Sequence, residues 1–346
     1  MADPRFPRAL ALRTALSTAL LLAGCGGDET GNPSGSTDAT GGSDSTSTTG
    51  TDAGGSGGQG TSGGSGGQTS SGGGGGGSAG SGGAGGSGGA GDPVTPGGDA
   101  AKVCEVLCVA GTCVGNQCVV GAQLAATAVA SASQYFDNPP MPYGGASMCE
   151  IGPMTVQYDV VATSGPCSMV KETYLLGANM NLPFDAGTVT YSSPLAGDVE
   201  LPVVNDCRKL ELPYDVVFTP GSLSAMTVTG GADYPAFAID AVAPNDFTIE
   251  VTPLLAGAPV TVTWTTALPT DFVMIGSVDR VALCKPDSPG EVTVSAGMMA
   301  LLLQGETTAF AGVYRYASTG ADIPGAAHPV RMYFIRSHGR ALKLGP

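Results

Sequence analysis

Two histidines, nine cysteines and an acidic excess limit the chemistry open to this chain. His328 and His338 are the imidazoles able to move protons near neutral pH, and both fall close to the end of the sequence. Neither belongs to a Gly-x-Ser-x-Gly, His-Glu-x-x-His, phosphate-loop or dinucleotide glycine pattern. Both read as exposed loop residues, and the arginines around His338 in Arg-Ser-His-Gly-Arg disfavour an imidazolium. Two-carboxylate glycoside hydrolysis needs acids roughly 5–10 Å apart across a cleft. Asp159, Glu172, Asp198, Asp240, Asp246 and Asp271 are candidates, and no spacing singles out a pair. Calcium loops of the Asp-x-Asp-x-Asp-Gly kind are missing, which leaves isolated acids such as Asp271 and Asp279 as weak ligands at best. The sequence therefore nominates no catalytic residue, no resident metal and no cofactor.

Cysteine is the other reactive residue. Cys25 stands alone in the first hundred residues, after Arg5, Arg8, Arg13 and an apolar stretch from Thr14 to Gly24. That layout is the one an export signal uses, and the stretch is shorter than the about 20 residues a membrane span requires. Leu22-Ala23-Gly24-Cys25 resembles a bacterial lipobox. The resemblance implies diacylglycerol on the Cys25 sulfur, cleavage before it and acylation of the new amino terminus. Gly26 at the following position leans, by the same resemblance, toward the outer membrane or cell surface. The remaining eight cysteines, Cys104, Cys108, Cys113, Cys118, Cys149, Cys167, Cys207 and Cys284, are an even number in an exported chain and read as four disulfides. The first four lie within fifteen residues, "CEVLCVAGTCVGNQC", a spacing that also suits zinc, although zinc knuckles usually come as two pairs separated by a longer loop. This cluster resembles the short growth-factor-like modules of surface proteins, which implies Cys104 with Cys113 and Cys108 with Cys118.

These residues must be positioned by very different kinds of chain. Residues 1–24 read as the signal. From residue 25 to 101 the chain holds 32 of the 56 glycines and no lysine or arginine, a composition that gives flexible coil and no core. It is expected to act as a disordered stalk, followed by a Cys-rich segment over 102–118. Beyond it the sequence reads almost wholly as strand. Met154, Val156, Tyr158 and Val160 alternate with polar residues, and Val260, Val262 and Trp264 do the same, which marks Trp264 as core rather than as a sugar platform. Only "AGMMALLLQGE" invites a helix. Many short strands without intervening amphipathic helices predict an all-β fold. The expectation is two immunoglobulin-like antiparallel β-sandwiches, 119–243 and 244–346, hinged at "VAPND".

The stretch from Tyr214 to Thr266, with its Pro-Gly turn, Tyr-Pro-Ala-Phe and Val-Thr-Trp-Thr, resembles uncharacterised myxobacterial-type surface lipoproteins that share the lipobox, Gly/Ser stalk and Cys-rich patch. In many of these Tyr234 is replaced by valine, so its phenol needs a partner here. Against a net charge of −15, the last strands carry Arg315, Arg331, Arg336, Arg340 and Lys343 with a single acid, Asp322. They form a candidate docking patch for anionic glycan, lipid phosphate or an acidic partner, or else charged strand edges that prevent edge pairing. Net acidity argues against nucleic acid. Three functions follow as expectations: a non-enzymatic, membrane-anchored interaction module for envelope glycan or protein, a structural envelope component, or a glycan hydrolase.

Overall fold

The computed structural model describes residues 93–135, 139, 141–176, 181–277, 280–286 and 289–345. The expected signal, Cys25, the stalk up to residue 92 and Asp279 lie outside the described residues. In chain order the elements are β1 (Thr95–Pro96), α1 (Ala100–Leu107), β2 (Thr112–Val114), β3 (Gln117–Val120), β4 (Gln123–Tyr135), β5 (Met141–Ile151), β6 (Met154–Ser164) and β7 (Cys167–Leu176). They continue as β8 (Val189–Ser193), β9 (Gly197–Glu200), β10 (Val203–Val204), β11 (Cys207–Glu211), α2 (Tyr214–Val217), β12 (Leu223–Val228), β13 (Phe237–Val242) and β14 (Ile249–Val251). The last are β15 (Val260–Trp264), β16 (Phe272–Gly276), β17 (Val281–Cys284), β18 (Glu291–Val294), α3 (Ala296–Leu303), β19 (Thr308–Ala321) and β20 (Val330–Lys343).

A 13-stranded sheet dominates, in the order β10-β11-β5-β4-β20-β19-β16-β17-β7-β6-β3-β2 with β1 added on β6. The chain is mostly β, as expected, but two immunoglobulin-like sandwiches are not confirmed. Strands from both sides of Ala243 share this one sheet, and β20 returns to lie parallel to β4, from Val330 beside Leu124 to Ala341 beside Tyr135. Alternation shows that a strand is half buried and says nothing about which strand it pairs with.

The sheet must curl. Gly152 and Pro153 alone connect β5 to β6, although six strands separate them in the sheet. A flat sheet at about 4.8 Å per strand would hold them roughly 34 Å apart, and two linking residues reach about 10 Å. Gly121 and Ala122 impose the same closure between β3 and β4. The inner face of the curl packs on itself through Ala125, Val156, Tyr158, Met274, Leu283 and Ile335. Its outer face carries two caps. One is the sheet β13-β12-β8-β9, whose Tyr191, Met226 and Ile239 meet Met148 and Phe334. The other is the sheet β14-β15-β18 with α3, whose Val262, Trp264, Val292 and Met298 meet Val273 and Ile275. Each such side chain, fully buried, contributes about 1.5–3 kcal/mol.

Four disulfides reinforce this arrangement. Cys104 bonds Cys113 and Cys108 bonds Cys118, first with third and second with fourth. Cys149 bonds Cys207 between β5 and β11, and Cys167 bonds Cys284, its directly opposite residue on β17. The last crosses the expected domain boundary and closes 117 residues, for which chain entropy alone gives roughly 5 kcal/mol.

Two local expectations change and a third is met. Residues 93–101, read as the end of the stalk, belong to the fold: β1 pairs with β6, the Gly97 N–H donates to the Val161 carbonyl, and Asp99 caps α1 by accepting from the Ala101 N–H at 3.1 Å. Tyr214–Val217, read within a strand, forms the short helix α2 behind Pro213, whose carbonyl accepts from the Val216 and Val217 N–H groups and so turns the chain out of the strand. "AGMMALLLQGE" contains α3 as expected, opened by Ser295, whose Oγ accepts from the Met298 N–H.

Candidate functional site

Arg315 on β19 and Arg336 on β20 are directly opposed in register and therefore share one face of the large sheet. That face is the outer one, between the two caps. Two connecting segments cross it, residues 244–248 from β13 to β14 and residues 265–271 from β15 to β16, and each arginine grips both or one of them.

Arg315 is fully buried. Its Nε donates to Asp271 Oδ1 at 2.8 Å and its Nη2 to Asp271 Oδ2 at 2.7 Å, a bidentate pair with neither side chain exposed. Nη1 donates to the Asn245 carbonyl at 3.0 Å and Nη2 to the Thr266 carbonyl at 2.7 Å. Asp271 also accepts from Trp264 Nε1 at 2.9 Å and from the Leu268 N–H at 2.8 Å. Trp264 is buried as expected, and its one polar atom is thereby satisfied. Thr266 holds a left-handed backbone at φ 49°, rare for a β-branched residue, and its hydroxyl donates to the Asp246 carbonyl at 2.7 Å. Every polar group here is used.

Arg336 makes a looser set. Its Nε donates to Asp246 Oδ1 at 2.7 Å and its Nη2 to the Tyr214 hydroxyl at 2.9 Å, while Nη1 is buried without a hydrogen-bond partner among the described residues, the guanidinium lying over the Tyr214 and Phe218 rings. Asp246 is half exposed at 51 %. Burial pushes its carboxyl up, but Arg336, through hydrogen bond and charge, together with the Phe247 N–H and His338, outweighs this and holds it below the ordinary value. His338 Nε2 lies 3.1 Å from the Tyr214 hydroxyl and 3.2 Å from Asp246 Oδ1. Burial depresses the imidazole, against the pull of Asp246 and with the push of Arg336 and Arg315. A proton relay needs the acid on one ring nitrogen and the nucleophile on the other. Here both groups meet Nε2, so the geometry closes a charge network and sets up no relay.

The candidate basic patch is thus corrected. Arg315 and Arg336 are internal, Arg331 is partly exposed beside Asp322 at 3.6 Å, and only Arg340 and Lys343 are exposed. The reading of His338 as an exposed loop residue is corrected too, since it lies on β20 with its side chain 18 % exposed. His328 is partly exposed, with Nε2 3.5 Å from Glu150 Oε1. The "VAPND" segment is no free hinge, because Arg315 holds the Asn245 carbonyl and Arg336 the Asp246 carboxylate. Of the candidate acids, the structure gathers Asp246 and Asp271, each on its own arginine. Asp198 accepts from Ser192 Oγ and Asp159 from Gln157, away from this seam. Glu172 lies opposite Tyr158 on the inner face, and burial lifts its carboxyl to about 7.

No family model, curated protein or solved structure matches this chain. The functional reading therefore rests on its own residues.

Three contributors escaped the sequence reading. Tyr214 and Thr266 gave no signal beyond being polar in a strand-rich stretch. Glu150 is buried on the outer face of β5, where it accepts from the Tyr234 hydroxyl at 2.8 Å, which supplies the partner that phenol required. A second opening lies elsewhere, between the β19–β20 hairpin and the Cys-rich segment. This cavity of about 480 Å³ is walled by Val109, Ala110 and Gly111 on one side and by Ser318, Asp322 and Arg331 on the other. The three sulfurs of Cys104, Cys108 and Cys113 lie within 4.8 Å of one another and are consumed by disulfides. Among the described residues no helix is long and apolar enough to cross a membrane.

Proposed function

We propose that this protein is a lipid-anchored cell-envelope protein of the outer membrane or cell surface, which holds a rigid β head away from the lipid on a Gly/Ser-rich stalk and uses it as a non-enzymatic adhesion or interaction module. One observation carries the reading. All eight cysteines outside the first hundred residues are in disulfides, as an oxidising compartment allows, which leaves Cys25 alone in Leu-Ala-Gly-Cys. The 67 residues 26–92, of a composition that gives flexible coil, separate that sulfur from the head, a mean span of roughly 45 Å. Two acyl signals on one terminus anchor a protein stably without a spanning helix.

The interaction role is supported by rigidity. The closed Arg315–Asp271 pair, a curled sheet and a bond that closes 117 residues leave little to reorganise on contact, which lowers the entropic cost of binding. The likeness to myxobacterial-type surface lipoproteins favours the same placement. The test is adhesion of cells that display the full chain. Loss of adhesion when the protein is deleted, with recovery on re-expression, is the expected result. Unchanged adhesion would favour a structural envelope role, and release of product from envelope glycan by the purified chain would favour a hydrolase.

A further inference from the structure

The cavity between the β19–β20 hairpin and the Cys-rich segment deepens this reading, and we propose that it is a binding site for a neutral saccharide. Its volume of about 480 Å³ suits one or two sugar rings, within the range of roughly 300–1,000 Å³ usual for small-ligand sites. Ser318, Gly320, Arg331 and Tyr333 share one face by register, Tyr333 opposite Ser318 and Arg331 opposite Gly320. Gly320 matters sterically: a Cβ there would stand 2.4 Å from Arg331 Nη1, so the glycine lets the guanidinium lie flat across the floor. The opposite wall is fixed as well. Val109, Ala110 and Gly111 lie inside the interlocked loops of Cys104–Cys113 and Cys108–Cys118. Gln123 Nε2 donates to the Ala110 carbonyl at 3.3 Å and Tyr333 donates to Gln123 Oε1 at 3.3 Å, which ties that wall to the sheet. A Cβ on Gly111 would meet the Val119 carbonyl at 2.4 Å, so the wall also packs against β3.

The chemistry follows from what is left unused. Arg331 Nη1 donates to the Val330 carbonyl and approaches Asp322 Oδ1, whereas its Nε and Nη2 and the second Asp322 oxygen meet no hydrogen-bond partner among the described residues. A guanidinium beside a carboxylate offers donors and acceptors together at nearly zero net charge. Adjacent sugar hydroxyls, which donate and accept at once, match that pair, and a lone anion does not because Asp322 opposes it. The Tyr333 ring is buried and gives no stacking platform. Affinity therefore comes from hydrogen bonds alone and is weak for one site, with many anchored copies supplying avidity.

The inference rests on the interaction-module reading and is tested separately from it, on the full chain carrying Cys25→Ser so that it stays in solution. Saturation-transfer NMR with chitotetraose, cellotetraose and maltotetraose at on the order of 10 mM should show contact with at least one of them. Asp322→Asn and Arg331→Ala should each weaken that contact roughly tenfold, while Arg340→Ala leaves it unchanged and all three keep the parent melting temperature. Absence of signal from all three saccharides, or binding indifferent to Asp322→Asn and Arg331→Ala, overturns the inference. Inorganic phosphate bound in their place, and more tightly by Asp322→Asn, overturns it in favour of an anion site. Should displayed cells adhere normally while Asp322→Asn changes nothing, the saccharide site fails and the interaction module stands; without any adhesion the module itself fails.

Discussion

Arg315 and Arg336 are neighbours across two strands, and each pairs with an aspartate from a cap-linking segment, yet the two pairs are built to different standards. Around Arg315 both partners are fully buried and each carboxylate oxygen and guanidinium nitrogen is engaged. Around Arg336 the arginine is buried but Asp246 is half in water, one guanidinium nitrogen has no hydrogen-bond partner among the described residues, and a depressed histidine shares the carboxylate. The difference teaches where the head is rigid. The β15–β16 segment is locked from within by Arg315, whereas the β13–β14 segment, which Arg315 holds only at the Asn245 carbonyl, has its side-chain anchor in a pair that solvent and pH can reach.

Substitutions can break this contrast. Asp271→Ala strands Arg315 in a dry site and should cost about 3–5 kcal/mol in urea unfolding, the typical penalty for removing one half of a buried pair. The same change at Asp246 removes a half-exposed partner, so water can take its place beside the buried Arg336, and it should cost less, about 1–2 kcal/mol. Equal losses would show that the two pairs do not differ as described.

A partly buried acid sharpens the contrast further. Glu172 has no ion pair among the described residues, and its folded value of about 7 exceeds its unfolded one. Its contribution is therefore fully present below the unfolded value of 4.5 and is lost as pH rises through about 7. Glu172→Gln should remove that loss and raise stability at pH 8 by up to about 3 kcal/mol. No gain on alkaline titration would show that Glu172 meets a cation or water.

The smallest effect belongs to His338. Its folded value is depressed, so its contribution is present above the unfolded imidazole value and lost as pH falls through the folded one. Asp246, also depressed, acts in the same direction at lower pH. His338→Gln should shift the acid limb of the melting curve slightly and leave the alkaline limb alone.

Much of this was legible in the residues, and the losses have physical causes. The alternation of Val260, Val262 and Trp264 places one face in the core, and they are buried together. The spacing of four cysteines in "CEVLCVAGTCVGNQC" marks a cross-linked segment without an apolar core of its own, and α3 is visible as the apolar run of "AGMMALLLQGE". Sheet order was not legible. Nothing in "VRMYFIRSHGRALK" says that it will lie parallel to a strand some two hundred residues earlier, because side-chain alternation is the same in either direction.

The basic patch misled for a related reason. In β20 both faces are buried, so Arg336 and His338 are interior residues that needed partners, not surface charge. The available signal was the unbroken apolar run Met332-Tyr333-Phe334-Ile335 just before them, which belongs to a strand buried on both faces. A charge inside such a strand must be paired, and its partners sit in loops whose positions the sequence does not encode.

The central claim is that Cys25 carries the anchor. Mass spectrometry of the amino-terminal peptide from the native, membrane-extracted protein tests it most directly. The account predicts a chain that begins at Cys25, with diacylglycerol on its sulfur and an acyl group on its nitrogen. A chain that begins elsewhere, or an unmodified Cys25 thiol, would contradict it.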